Sequence, residues 1–328
     1  MSNTVPEAGL SPEETHPPLG SLALARIGVD RGSDRRLASG MMGQIWADPA
    51  TRVMLIHNGK TLIRDFSLVL VETAQTEQTQ WAENLIYLGR TTVAADEPAG
   101  TDVVLLILKD KPAEWDDDGA EWLGLREAAT ELSGRDAALF VEAAAVSNWH
   151  ATHTHCPRCG SPTDVEAGGW VRRCPLDNSE HYPRTDPAII VTVIDDQDRL
   201  LLGSSAQWSG KRFSTLAGFV EPGESLEAAV VREIAEESGV VVHSPKYLGS
   251  QPWPFPCSLM LGFTARAEGT ETMPDGVEIT AVRWFTREEL AAAVYSGEIQ
   301  IASGASIARS LIEHWYGGPI IEPAEKPE

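Results

Sequence analysis

Three glutamates lie close together in a segment whose pattern predicts an amphipathic helix. One face of that helix, at steps of three and four residues, is formed by Leu226, Val230, Glu233 and Glu237. Glu236 follows Glu233 by three residues. A face that begins apolar and ends in carboxylates directs negative charge toward the protein body. A divalent cation would stabilise it, because hard cations such as magnesium take oxygen ligands. The alternative is a solvated acidic helix.

The spacing of the surrounding residues favours the metal site. From Gly218 onward the chain reads G-x5-E-x7-R-E-I-x-E-E-x-G-V, with Glu224, Arg232 and Gly239 among the fixed positions. This pattern resembles the Nudix box, and the resemblance implies a metal-dependent site for pyrophosphate chemistry.

Local signals agree with a helix in this segment. The residues 221–224 predict a loop, Ser225 can cap the helix start, and Gly239 can end the helix in the left-handed conformation. Arg232 lies four residues before Glu236 and can hold its carboxylate in place.

Composition limits the class of protein. A length of 328 residues predicts two or three domains, and 42% hydrophobic residues is ordinary for a soluble globular protein. The formal net charge of -22 argues against a broad phosphate-binding surface, so any nucleic acid would be recognised locally. The N-terminal segment has no basic stretch followed by an apolar run, and the apolar run 103–108 is too short to cross a bilayer. We therefore expect a cytoplasmic protein without membrane contact.

Changes in composition along the chain predict its organisation. We expect a disordered leader at 1–18, an α+β N-terminal domain at 19–150, a zinc ribbon at 151–183, an α/β domain at 184–320 and a tail at 321–328. In the N-terminal domain, apolar runs predict strands at 54–57, 68–72, 85–88 and 103–108, and the residues 120–150 predict one or two helices.

The α/β domain has the clearest pattern of elements. Predicted strands lie at 188–195, 199–204, 259–265 and 279–285, and predicted helices follow the capping box at Thr286 and span 306–315. Strands with helices on both sides predict an α/β/α sandwich.

Cysteine spacing indicates a structural zinc site. Cys156 and Cys159 form one knuckle, and Cys174 with Asp177 forms a second, where a cysteine would be the usual fourth ligand. Asp is a rarer zinc ligand, so completion by His181, by another nearby histidine or by water stays open, as does a ribbon without metal. Three of four cysteines in one cluster favour a metal site in a reducing compartment over disulfides.

A proline-rich segment forms the second distinctive motif. Residues 250–258 read SQPWPFPCS, and alternating prolines predict a stiff, extended chain that displays Trp253 and Phe255. A purely structural proline-rich turn is the alternative. Together with the zinc ribbon and the Nudix box, this motif is similar to the signature of the NADH pyrophosphatase subfamily of Nudix hydrolases. The resemblance covers about residues 120 to 315.

The resemblance implies a catalytic site with Mg²⁺ or Mn²⁺. The implied metal ligands are the backbone carbonyl of Ala217 and the carboxylates of Glu233, Glu237 and Glu278. Arg232 belongs to the same catalytic motif, and either Glu236 or Glu237 is the implied base.

The resemblance also implies a substrate site, in a homodimer whose pocket is built across two chains. Tyr182 and Phe219 match positions that stack against a base. The substrate loop matches Gln251, Pro252, Trp253, Pro254, Phe255, Pro256, Cys257 and Ser258, and weaker matches are Arg126 and Ala308.

The implied reaction is hydrolysis of the pyrophosphate of NADH, and of NAD, to a nicotinamide mononucleotide and AMP. Removal of an NAD cap from RNA is the alternative, and Arg172, Arg173 and Arg184 are the local cations expected near the pocket. An inactive dinucleotide sensor is a further alternative, although such a protein would usually carry a broken box.

Overall fold

The computed structural model describes residues 18–76, 85–110, 119–208 and 210–322. Nearly all of the predicted leader and most of the predicted tail lie outside these ranges. Two compact units form: one contains residues 23–187 and 252–259, and the other contains the described residues 18–22, 188–251 and 260–322.

A mixed sheet forms the centre of the first unit. Its strands are β1 (Val29–Asp30), β2 (Arg52–His57), β3 (Lys60–Arg64), β4 (Ser67–Leu68), β5 (Leu70–Glu72), β6 (Leu85–Thr91), β7 (Asp102–Ile107) and β8 (Glu121–Gly124). The order is β1-β6-β7-β2-β3-β4, with β5 on β2 and β8 on β3, and β2 runs parallel to β7. The four apolar runs of the sequence all lie in this sheet, so their prediction as strands is confirmed.

In the described part of this unit, the α-helices that accompany the sheet are α1 (Met41–Ala47), α2 (Leu125–Ala128) and α3 (Gly134–Thr152). Ser133 caps α3, because its hydroxyl accepts a hydrogen bond from the amide of Asp136. The prediction of helix from residue 120 was wrong for β8. Trp122 and Leu123 pair with Leu62 and Thr61 of β3, a long-range pairing that helical periodicity cannot reveal.

The ribbon segment forms a small antiparallel sheet of β9 (Asp164–Glu166), β10 (Val171–Arg173) and β11 (Glu180–His181), with β10 in the middle. Tight turns precede β9 and β11. The amide of Gly160 donates to the carbonyl of Cys156 at 2.9 Å, and the amide of Asn178 donates to that of Cys174 at 3.0 Å. These turns bring the two cysteine knuckles together.

The second unit is built on another sheet. Its strands are β12 (Asp186–Ile194), β13 (Leu200–Ser205), β14 (Leu216–Phe219), β15 (Val242–Trp253), β16 (Ser258–Ala267) and β17 (Ile279–Phe285). They lie in the order β15-β16-β12-β13-β17, with β14 paired to β12.

Helices cover both faces of this sheet. They are α4 (Leu226–Ser238), α5 (Arg287–Tyr295) and α6 (Ile307–Tyr316). Alternate residues of β13 point to opposite sides: Leu201 joins the core beneath α4, whereas Leu200 and Leu202 join the core beneath α5 and α6. The predicted α/β/α sandwich is therefore confirmed. None of the helices in the described ranges combines the length and apolar character needed to cross a bilayer.

We expect the buried guanidinium of Arg135 to be essential for the stability of the first unit. The Arg135 side chain is 2% exposed and pairs with Glu97 and Asp136, each at 2.7 Å. Arg135→Met leaves two buried carboxylates unpaired and should lower the free energy of unfolding by about 3–5 kcal/mol. Urea denaturation measures this, with Arg283→Met as control because Arg283 pairs with an exposed Glu298. The control should lose no more than about 1 kcal/mol, and equal losses in both variants would contradict the expectation.

Candidate active site

The acidic helix α4 is closed at both ends by the residues that the sequence indicated. The Ser225 hydroxyl accepts a hydrogen bond from the amide of Ala228 at 3.2 Å. Gly239 ends the helix with φ of 71°, in the left-handed region that favours glycine. Val230 is fully buried and Glu237 is 7% exposed, so the predicted stripe does face the core.

Arg232 binds the loop and the helix together. Its guanidinium donates to Glu224 at 2.5 Å and to the Phe219 carbonyl at 3.0 Å, and it pairs with Glu233 at 2.9 Å and Glu236 at 3.0 Å. The predicted contact with Glu236 is confirmed, and three further partners join it. Arg232 therefore fixes the carboxylates around it and neutralises part of their charge.

Gly218 allows a carboxylate to approach the backbone of β14. A Cβ at this position would lie 1.9 Å from the carboxyl carbon of Glu233. Gly218 pairs with Ile189 of β12, so the strand cannot shift to make room without loss of sheet pairing. A larger residue here would displace the Glu233 carboxylate from its place against the strand, which gives the first position of the motif a steric reason.

Glu237 is the most strongly perturbed carboxyl of the cluster. Burial, together with the charges of Glu233 and Glu278, raises its pKa to about 8, and the backbone of Ala217 partly opposes the shift. Burial also raises the pKa of Glu233, against the effect of Arg232. Within the described residues, the Oε2 atom of Glu237 is buried without a hydrogen-bond partner. A buried carboxylate oxygen that lacks a donor and faces further carboxylates fits a hard divalent cation.

Glu278 lies on a loop that is ordered by a residue the sequence reasoning missed. The carboxylate of Asp275 accepts hydrogen bonds from the amides of Val277 and Glu278, both at 3.1 Å, and Ile279 at 2.8 Å. The signal was available, because an Asp before a glycine commonly forms such a side-chain turn. The Glu278 side chain itself is exposed.

The ribbon gathers the four predicted zinc ligands. The donor atoms of Cys156, Cys159, Cys174 and Asp177 all lie within 4.8 Å of one another. No other ligand set among the described residues is comparably compact, and the catalytic glutamates are more spread. Three thiols and one carboxylate in this arrangement fit tetrahedral zinc.

Ser179 and Arg158 orient the unusual ligand Asp177. Its Oδ1 accepts from the Ser179 amide at 2.9 Å and hydroxyl at 2.5 Å, and these bonds hold the pKa of Asp177 well below its usual range. Its Oδ2 faces the Cys156 sulfur at 3.9 Å and Arg158 at 3.6 Å. One oxygen is thus occupied by donors and the other is directed at the thiols, which favours Asp177 over His181 as the fourth ligand.

The two predicted stacking aromatics are accessible. Tyr182 is 60% exposed and Phe219 is 58% exposed, although aromatic rings of this size are usually buried. The alternative of an ordinary half-buried Tyr182 does not hold. Its hydroxyl donates to Glu180 and leaves the ring faces open.

The predicted substrate loop is extended only at its start. Gln251 to Trp253 end β15, but Pro254 to Cys257 form a turn with a cis peptide bond before Pro256. The prediction of a fully extended segment was therefore wrong. The turn places the Trp253 and Phe255 rings edge to face, 5.0 Å apart.

Two predicted substrate residues lie in the interior. Gln251 is 1% exposed, and its side-chain amide donates to the Ala305 carbonyl at 3.0 Å. Ala308 is 2% exposed in the first turn of α6. The side chains of both residues support the fold, and their contact with substrate stays a prediction.

The expected local cations are largely neutralised. Arg172 is 8% exposed and bonds to Thr163 and His150, so it is a structural residue of the ribbon. Arg173 pairs with Glu166 and Glu180, and Arg184 pairs with Asp186. All three cations therefore have partners within the fold, and their place near the substrate pocket stays a prediction. A cavity of about 1290 Å³ beside Arg172 and Arg173 contains none of the predicted catalytic residues.

Comparison with known families gives three matches, one after another along the chain. Family models match as the NADH pyrophosphatase-like rudimentary NUDIX domain over residues 50–149, the NADH pyrophosphatase zinc ribbon domain over 151–182 and the NUDIX domain over 184–303. The NAD-capped RNA hydrolase NudC of Mycobacterium bovis is 36% identical over 302 residues, which is 89% of this chain and 94% of that protein. The chain belongs to the NADH pyrophosphatase family of Nudix hydrolases.

Other relatives agree with this assignment. The NAD-capped RNA hydrolase NudC of Mycobacterium tuberculosis is 35% identical over 302 residues, again 89% of this chain and 94% of the relative. The protein of the same name from Stutzerimonas stutzeri is 43% identical over 210 residues, which is 64% of this chain and 72% of the relative. This Nudix hydrolase is thus an enzyme of the divalent-metal-dependent class, with a ribbon that fits zinc.

We expect Asp177 to control zinc retention in this Nudix hydrolase. Asp177→Ala removes one of four donors and should weaken zinc binding by about tenfold or more, whereas Asp177→Cys should retain one zinc per chain. Elemental analysis and competition with a chromogenic chelator measure both. Wild-type protein without zinc, or Asp177→Ala with unchanged retention, would contradict the expectation.

We also expect Glu237 to make the stability of chelator-treated protein depend on pH. Because its folded-state pKa is raised from 4.5 to about 8, the folded chain keeps a proton that the unfolded chain releases in this range. The free energy of unfolding should therefore fall, by up to a few kcal/mol, as the pH rises from about 4.5 to 8. Thermal melting should show a weaker pH dependence in Glu237→Gln, and Mg²⁺ should stabilise wild type more at pH 8 than at pH 5. Parallel pH curves for the two proteins would refute this role.

Proposed function

We propose that this enzyme hydrolyses the pyrophosphate bond of NADH and NAD, with water as nucleophile, to yield a nicotinamide mononucleotide and AMP. The observation that carries the proposal is the buried, unpaired Glu237 oxygen beside Glu233 and Glu278 on an intact Nudix helix. The proline-rich loop and the accessible rings of Tyr182 and Phe219 support a dinucleotide as substrate.

We assign the metal ligands to the carboxylates of Glu233, Glu237 and Glu278 and the carbonyl of Ala217, with Mg²⁺ or Mn²⁺ as the cation. Such a cation neutralises diphosphate charge and lowers the pKa of water. Glu237 suits a ligand role because its oxygen has no competing donor among the described residues.

The remaining residues of the box position groups and move a proton. The Glu236 side chain is 60% exposed and held at one oxygen by Arg232, so water can reach it and it is our candidate for the base. Arg232 keeps Glu233 and Glu236 in fixed orientations through the reaction. Tyr182 and Phe219 are assigned to base stacking, and the loop 251–258 is assigned to the dinucleotide as a whole.

The NAD cap of RNA is the second candidate substrate. The same bond joins the nicotinamide mononucleotide to the first nucleotide of such a transcript, and the relatives reported above are named NAD-capped RNA hydrolases. Arg173 and Arg184 are occupied by acidic partners, and the net charge is -22, so we expect the enzyme to recognise the cap and few nucleotides beyond it. An inactive dinucleotide sensor would usually carry a broken Nudix box, and the box of this chain is intact, so we do not favour that alternative.

We retain three further predictions as part of the proposal. The domains are assigned to 19–150, 151–183 and 184–320, the protein is a homodimer, and it is cytoplasmic. Sedimentation velocity of the purified chain tests the dimer directly.

A product assay tests the function. Wild type with Mg²⁺ or Mn²⁺ should convert NADH to reduced nicotinamide mononucleotide and AMP, and Glu237→Gln should lower kcat by about 10²–10⁴-fold with a melting temperature at pH 7 that, without added metal, is no lower than that of wild type. Glu227→Gln on the exposed side of the same helix is the matched control and should keep wild-type rates.

The outcomes separate the candidates. Equal kcat/KM values on NADH and on an NAD-capped transcript would show that the enzyme accepts both substrates. A much larger kcat/KM for one of them would identify it as the preferred substrate. Full activity in Glu237→Gln, or cleavage at a bond other than the pyrophosphate, would refute the proposal.

A further inference from the structure

The turn in the substrate loop cannot provide hydrogen-bond donors for all of its own backbone carbonyl groups. Pro252, Pro254 and Pro256 have no N–H group, so this segment offers few donors to its own carbonyl groups. Within the turn, the amide of Phe255 donates to the Trp253 carbonyl at 2.7 Å. The carbonyls of Pro254 and Pro256 need donors from elsewhere in the fold.

Asn148 on α3 supplies both donors. Its side-chain amide nitrogen lies 2.9 Å from the Pro254 carbonyl oxygen and 3.0 Å from that of Pro256. A primary amide carries two N–H groups, so one asparagine can serve both carbonyls at once. The two bonds join alternate residues of the turn and thereby fix its curvature.

Other contacts hold the rest of the turn in the same unit. The Arg126 guanidinium on α2 lies 4.1 Å from the centre of the Phe255 ring and 5.2 Å from that of Trp253. The amide of Asp186 donates to the Cys257 carbonyl at 2.9 Å. Asn148 thus fixes the backbone on both sides of Phe255, whose ring lies beside the Arg126 guanidinium.

We propose that Asn148 is a positioning residue for substrate binding, which presents Trp253 and Phe255 to the dinucleotide by bridging the carbonyls of Pro254 and Pro256. This inference rests on the proposed function, since it concerns the loop that is assigned there to the dinucleotide. A turn that is held before binding loses less conformational entropy on binding, so the bridge lowers KM. Asn148 donates to none of the box carboxylates in the described structure, so kcat does not depend on it.

Two variants and a matched control test the proposal. Asn148→Ala removes both donors and should raise KM for NADH about tenfold with kcat within about threefold of wild type. Asn148→Asp keeps the shape but places a carboxylate against two carbonyl oxygens, so its KM should rise at least as much. Thr152→Ala, on the exposed end of the same helix, should leave both constants unchanged.

Hydrogen exchange provides a readout that does not depend on turnover. In Asn148→Ala, the amides of Trp253, Phe255 and Cys257 should exchange several-fold faster than in wild type or Thr152→Ala, with an unchanged melting temperature. Unchanged exchange would refute the bridge, and faster exchange with unchanged KM would refute its role in substrate binding. A loss confined to kcat would also overturn the proposal. If wild type hydrolyses no dinucleotide, the proposed function fails, while the exchange result still decides whether Asn148 holds the turn.

Discussion

The rest of the active site depends on the burial of the Glu237 carboxylate at the end of an apolar helix face. Val230 and Ile234 fix α4 against the sheet and carry Glu237 with them into a region of low dielectric constant. There the charges of Glu233 and Glu278 act on it strongly. The positive charge of Arg232 pairs with Glu224, Glu233 and Glu236, and it is not paired with Glu237. The excess negative charge is therefore local, and it lies at the carboxylates proposed above as ligands of a divalent cation.

The backbone around this charge is determined by a few steric requirements. Gly218 admits the Glu233 carboxylate against β14, and the pairing of Ala217 with Ile190 keeps that strand in register. Gly239 reverses the chain after the helix, so the next strand returns to the sheet. The carboxylates, the strand carbonyl and the helix axis are thus placed by the same core that stabilises the sandwich. Function and stability are coupled here, because any shift of α4 would move the ligands together.

Local features of this site could be predicted from the sequence, and non-local ones could not. Ser225, Gly239 and the contact of Arg232 with Glu236 depend on spacing within one helix, and all three are as expected. The strand 121–124 pairs with a segment about sixty positions earlier, and propensity gives no sign of that partner. The burial of Arg172 against His150 in the ribbon likewise depends on a residue twenty-two positions earlier, which no local pattern indicates. The turn after Trp253 depends on a donor from a distant helix, which the proline pattern alone could not supply.

Donor chemistry distinguishes the ribbon cluster from the carboxylate site proposed above. Thiolates of the ribbon suit zinc and bind magnesium poorly, whereas the glutamates of α4 accept either ion. Zinc has the higher intrinsic affinity for most ligand sets, so under the proposed function the carboxylate site would select magnesium or manganese through metal availability and through the diphosphate of the substrate. Asp177 brings an oxygen into the otherwise soft ribbon site. Its Oδ1 atom is occupied by Ser179 and its Oδ2 atom is directed at the thiols, so Asp177 offers a single oxygen donor, which fits a four-coordinate zinc site.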